Sequence, residues 1–144
     1  MKKTSRIIVW VASLIGLIDS GYLAYAKLFH TEVYCTPGLG DCVSVNASKW
    51  SEVWGIPVAL FGMATYIAII GLMLFGKKIK FLAPYVTELI FGIGFVGFLY
   101  SLYLTYIELF VLHAICQWCV LSAIVVTIIF VTALVQLVKQ SRSK

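Results

Sequence analysis

Four cysteines fall into two pairs. Cys35 and Cys42 bracket a Pro/Gly loop, Cys35-Thr-Pro-Gly-Leu-Gly-Asp-Cys42, and Cys116 and Cys119 form Cys116-Gln-Trp-Cys119 ahead of a long apolar run. Two dithiols within reach of each other pass electrons by thiol–disulfide exchange, a thiolate attacking a disulfide sulfur. A pair buried at a lipid boundary can also reach a lipid-soluble electron carrier. Residues three apart share a helical face, so Cys116 and Cys119 can close a disulfide on a helix. The partial positive charge of a helix N-terminus stabilises thiolate there, while apolar burial opposes it. Three blander readings stand beside this chemistry. Cys116 and Cys119 can simply pack between helices, Cys35 and Cys42 can staple their loop, and all four can hold zinc, although the longer spacing suits zinc poorly.

The elements that must position these thiols are membrane helices. The chain is 62% hydrophobic and 12% charged, far more apolar than a soluble domain. About 20 apolar residues cross a bilayer, and four stretches are long enough: 7–29, 56–76, 81–112 and 114–138. The third is longer than needed, which predicts tilt or a kink near Gly92, Gly94 or Gly97, with Pro84 in its first turn. Met-Lys-Lys and Ala24-Tyr25-Ala26 resemble parts of a signal peptide, but the apolar stretch between them is long for one. The expectation is a single domain over residues 1–144.

Charge placement orients the bundle. Lys2, Lys3, Arg6, Lys77, Lys78, Lys80, Lys139, Arg142 and Lys144 all flank one side, leaving only Lys27 and Lys49 toward the other. The positive-inside rule makes the first side cytoplasmic, with both termini there. The net charge of +5 is thereby explained without a nucleic-acid partner. Both cysteine pairs fall on the exoplasmic or periplasmic side, where disulfides persist.

Two outward-running helices echo each other. Ser20-Gly21-Tyr22-Leu23-Ala24-Tyr25 resembles Ser101-Leu102-Tyr103-Leu104-Thr105-Tyr106, and a cysteine follows ten residues after the last tyrosine of each. A parallel repeat of two hairpins would produce this pattern. The same offset matches Lys27 with Glu108, predicting similar depth and a pairing of the two. Asp19 falls near the middle of the first span, where an ionisable residue is costly. It either faces the bundle interior or serves a proton route. Glu88 lies nearer the cytoplasmic end. His113, close to Cys116, sits in the interfacial loop or assists proton movement. Residues 48–54 read as a short amphipathic interfacial segment, with Trp50 and Trp54 on one face.

The ordered set of paired loop cysteines, Cys42-Val-Ser-Val-Asn-Ala-Ser48-Lys-Trp50, Gly55-Ile-Pro57, the Tyr-Leu-x-Tyr helix and Cys116-x-x-Cys119 resembles the vitamin K epoxide reductase (VKOR) family in its short prokaryotic form. The resemblance implies an all-α, membrane-embedded four-helix bundle with a short exoplasmic interfacial helix between helices 1 and 2. It implies an enzyme, a quinone-linked thiol–disulfide oxidoreductase that oxidises a separate thioredoxin-like protein and supports disulfide bond formation. The electron acceptor implied is menaquinone, ubiquinone or a vitamin K-type quinone. Cys116 and Cys119 match the active-site pair, with Cys119 facing the quinone. Cys35 and Cys42 match the shuttle pair, Cys35 meeting the partner and Cys42 exchanging with Cys116. Ser48 and Trp50 match residues beside the active site. Some members carry a quinone-binding asparagine where Val58 stands and a tyrosine where Ala123 stands. These departures weigh against epoxide chemistry and leave quinone reduction. No metal is implied. Two alternatives remain: a DsbB-like thiol oxidase, whose cysteine pairs run in the reverse order, and a small four-helix transporter with incidental cysteines that couples through Asp19 and Glu88.

Overall fold

The computed structural model describes residues 3–29, 52–76, 78–111, 113 and 117–142. Four helices cover most of them: α1 (Lys3–Leu28), α2 (Val58–Phe75), α3 (Val86–Phe110) and α4 (Gln117–Arg142). All four are long and apolar enough to cross a membrane. Two two-residue strands, β1 (Glu52–Val53) and β2 (Ile56–Pro57), form an antiparallel hairpin just before α2. The hairpin marks one end of the bundle. The lysines of the α2–α3 connection mark the other, so the two are called here the hairpin end and the basic end.

The helix limits differ from the sequence expectations for local reasons. α2 begins at Val58 rather than at residue 56, because Ile56 and Pro57 are paired in the hairpin and Pro57 is the N-cap. Pro84 lies in a 3-10 turn, Ala83–Tyr85, from which α3 continues at Val86. Proline is tolerated in that opening turn because its missing N–H has no helical acceptor to lose. Trp54 and Gly55 have φ of +52° and +78°, as a two-residue hairpin turn of the type I′ class requires. The last residues of the expected interfacial helix, Glu52 to Trp54, are therefore strand and turn, and Trp54 at the tip is 97% exposed.

Helix pairing follows small residues. With no water to expel between them, membrane helices associate by close van der Waals approach. A Cβ at Gly16 would fall within the Tyr66 ring, and one at Gly62 would come within 2.9 Å of the Ser20 hydroxyl. These contacts bring α1 and α2 together. A Cβ added at Gly94 would lie 3.3 Å from the Phe130 backbone and one at Gly97 2.9 Å from a Val126 methyl, a close approach that seats α3 on α4. Phe130 fills the resulting recess, stacked 5.1 Å from Phe98 and 5.4 Å from Phe91. α1 also packs along α4, and Gln136 donates a 2.7 Å hydrogen bond to the Ser5 hydroxyl near the basic end. The core gathers around Val9, Ile69, Ile90 and Ile129, each fully buried. By contrast α2 and α3 touch only sparsely.

Candidate functional site

The gap between α2 and α3 is a cavity of about 960 Å³. Its walls come chiefly from α2 and α3, with Ser20 and Leu23 of α1 and Cys119, Ser122 and Ala123 of α4 closing its inner side. Most of the lining is apolar. Phe61, Leu89 and Val96 lie on its wall and are also exposed on the outer surface of the bundle, so the cavity opens sideways. Along α3 its wall runs from Glu88 to Glu108, about 30 Å at the rise of an α-helix.

Three elements place Cys119 on that wall. α4 starts at Gln117, which puts Cys119 in its first turn at the hairpin end. The Trp118 indole packs on Tyr22 of α1 with ring centroids 5.0 Å apart, fixing the start of α4 against α1. The i, i+3, i+4 spacing then sets Cys119, Ser122 and Ala123 on one face, and all three line the cavity. Val58, in the first turn of α2, lines it from the opposite side. The structure thus brings together Cys119, Val58 and Ala123, which the sequence resemblance grouped around a quinone. Cys35, Cys42, Cys116, Ser48 and Trp50 lie outside the described residues.

Polar groups on the cavity wall are few. The Tyr66 hydroxyl and the Ser122 hydroxyl are hydrogen-bonded at 3.0 Å, joining α2 to α4 on the inner wall. Thr105 donates back to the Ser101 carbonyl at 2.8 Å, which satisfies its hydroxyl within α3. Glu108 is only 5% exposed and lies on the wall in the last turns of α3. Sequence reasoning read Glu108 as a partner for Lys27 and overlooked its place in the cavity. The available signal was its spacing, since Ser101, Leu104, Thr105 and Glu108 share one face of α3. Lys27 bridges to Glu52 of the hairpin, with Nζ–Oε1 at 3.3 Å.

Asp19 takes a different position. It is 2% exposed, it does not line the cavity, and neither carboxyl oxygen has a hydrogen-bond partner among the described residues. Its environment is the interior of the bundle, as one of the two sequence readings held. His113 is exposed, with φ of +52°.

The sequence echo between α1 and α3 has a spatial counterpart. Ser20 and Leu23 line the cavity from α1, and their matches Ser101 and Leu104 line it from α3. Tyr25 packs on Phe29 at 4.8 Å and Tyr106 packs on Phe110 at 5.1 Å, at nearly equal tilts of 40° and 38°.

Comparison with known proteins agrees with this architecture. A 50-residue stretch is 32% identical to the thiol-disulfide oxidoreductase LTO1 of Arabidopsis thaliana, covering 35% of this chain and 13% of that relative. Residues 7–134 match the vitamin K epoxide reductase family. Four helices long and apolar enough to cross a membrane, and a match over nearly the whole length, make this chain a membrane protein belonging to the vitamin K epoxide reductase family.

Proposed function

We propose that this protein oxidises a separate, exoplasmic thioredoxin-like partner and passes the electrons through its two cysteine pairs to a quinone, so supporting disulfide bond formation. The observation that carries this reading is the place of Cys119, on the wall of an apolar cavity that opens between α2 and α3. The cavity fits the acceptor. Its volume is near the upper end of the range typical for small-molecule sites, ~300–1,000 Å³. A flat ring has room against Cys119, Val58 and Ala123, and an isoprenoid tail can run along α3 toward lipid. Val58 and Ala123 supply surface and no hydrogen bond, which suits a plain quinone better than an epoxide. A bound quinone supplies the two-electron chemistry, and the protein supplies position and electrostatics.

In this scheme the hairpin end is exoplasmic and the basic end cytoplasmic, a reading supported by the lysine distribution through the positive-inside rule. The partner's thiolate attacks the Cys35–Cys42 disulfide at Cys35. The partner's second thiolate resolves that mixed disulfide, which releases the oxidised partner and leaves Cys35 and Cys42 reduced. Cys42 then attacks the Cys116–Cys119 disulfide at Cys116 and frees Cys119, and Cys35 resolves the Cys42–Cys116 bond, which restores Cys35–Cys42 and leaves Cys116 and Cys119 reduced. Each exchange breaks one S–S bond and makes one, so the dithiol state moves inward without net chemistry until it reaches the cavity. Ser48 and Trp50 are proposed to border the ring from the segment preceding the hairpin.

The test is oxidation of a thioredoxin-like dithiol by membranes containing the protein and added quinone, with each cysteine replaced singly by serine. Loss of quinone reduction is expected for Cys116→Ser and Cys119→Ser, and loss of partner oxidation for all four. Turnover surviving removal of Cys119 would defeat the scheme.

A further inference from the structure

Moving electrons from a dithiol to a quinone also moves protons, and the cysteines alone do not explain how they cross to the ring. The described residues offer four candidates. Glu88 lines the cavity but is exposed and near the basic end, about 30 Å along α3 from Glu108. Asp19 is buried but does not lie on the cavity wall. His113 is exposed and is not part of the lining. Glu108 alone combines deep burial, a position on the wall and the right end of the cavity. It sits two residues before the end of α3, and Cys119 sits two residues after the start of α4. Both are thus about 3 Å in from the hairpin end of two helices that pack along each other. A carboxyl is costly to keep in an apolar membrane cavity and marks a functional site by default.

We propose that Glu108 is the acid–base residue that carries protons from the cysteine thiols to the quinone oxygen, an assignment that rests on the quinone reading above. The Glu108 carboxylate takes the proton of the Cys119 thiol and leaves the thiolate. The sulfur electron pair passes to the ring as the Cys116–Cys119 bond closes, and Glu108 returns its proton to the nearer quinone oxygen. Regenerated as carboxylate, it relays the Cys116 proton in the same way. In sum, one dithiol and one quinone become one disulfide and one quinol, with two electrons and two protons transferred. The other titratable groups on the cavity wall are Tyr66 on α2, Glu88 and Tyr100 on α3 and Cys119 on α4. Lys27 lies at the same end on α1, in its last turn. Tyr66 is already engaged with Ser122.

The experiment uses the full chain with Glu108→Gln and Glu108→Asp, and two readouts. The first is quinone reduction by protein reduced beforehand, as kcat and KM across a pH series. The second needs no quinone: the pH profile of Cys119 alkylation in protein whose other cysteines are serine. Glu108→Gln is expected to lower kcat about 100-fold, with KM little changed. It is also expected to shift the alkylation profile to lower pH, because a neighbouring negative charge that opposed thiolate has been removed. Glu108→Asp keeps the acid and is expected to retain at least about a tenth of the rate. A Gln variant with unchanged kcat, or an unmoved alkylation profile, overturns the proposal. So does an Asp variant that folds and is as slow as the Gln variant, since that pattern belongs to packing. If the Gln variant does not fold, the Asp variant decides alone: a folded Asp variant that keeps less than about a tenth of the parent rate overturns the proposal, and one that keeps more supports it. Failure of the unsubstituted protein to reduce quinone would instead remove the quinone reading itself.

Discussion

α1 and α3 carry the same short sequence pattern, run in the same direction and face the same cavity, yet they do different work. α1 buries ten residues and packs on both α2 and α4, whereas α3 buries five and packs mainly on α4. α1 is therefore the axis of the bundle, and α3 is a flank with one side left to the cavity. Their acids divide accordingly. Asp19 of α1 is enclosed by protein, and Glu108 of α3 lies buried in the wall of the cavity. A pattern repeated in sequence thus yields one scaffold helix and one site helix, because burial depends on how many neighbours a helix has.

The largest effect should come from glycines that separate these roles. Gly16→Leu drives a side chain into Tyr66, and Gly94→Leu drives one into the Phe130 backbone. Overpacking of this kind costs about 1–3 kcal/mol, with more where the obstacle is backbone. Both variants are expected to lower the thermal midpoint in detergent by many degrees. Gly92→Leu is the control on α3, since a Cβ there meets nothing within 4 Å. It should preserve or slightly raise stability, by up to about 1 kcal/mol from helix propensity. Because Gly92 lines the cavity, the same variant should raise KM for quinone. Equal destabilisation by Gly92→Leu and Gly94→Leu would show that α3 has no open side.

The sequence made part of this division visible and hid the rest. Helix number and approximate limits follow from apolar length, and Cys119, Val58 and Ala123, which the family resemblance singled out, all line one cavity, Val58 across from the other two. The cavity was not legible, because it arises from which helices fail to touch, and that depends on glycine contacts between distant segments. The hairpin was missed because four paired residues are too few to show a period of two, and its turn places a tryptophan, not an asparagine or aspartate, at positive φ. Glu108 was visible as a charge at the end of a helix. Its value depends on which face of α3 meets α2, a fact of packing rather than of composition.

A medium effect is expected from the acid on α1. Asp19→Leu replaces two oxygens that lack partners among the described residues with methyl groups of similar shape. Removing a buried, unsatisfied polar group is worth about 1–3 kcal/mol, so this variant should melt higher than the parent. Its quinone reduction should be unchanged, since Asp19 is off the cavity. Lower stability or lost turnover in Asp19→Leu would place Asp19 with Glu108 among the working acids and end the contrast between the two helices.

The smallest effect belongs to the position on α1 that matches Glu108. Lys27 has a side chain 17% exposed, and Glu52 opposite it is 41% exposed. Solvent screens such a pair, and exposed ion pairs contribute about 0–1 kcal/mol. Lys27→Ala should therefore cost a few tenths of a kcal/mol, a loss that added salt reproduces in the parent protein because mobile ions weaken exposed pairs. Quinone reduction should persist, since Lys27 is not on the cavity wall. A fall in turnover as deep as that expected for Glu108→Gln would mean that the bridge to the hairpin, and not the acid on α3, governs the site. The repeat would then be functional at both of its matched ends.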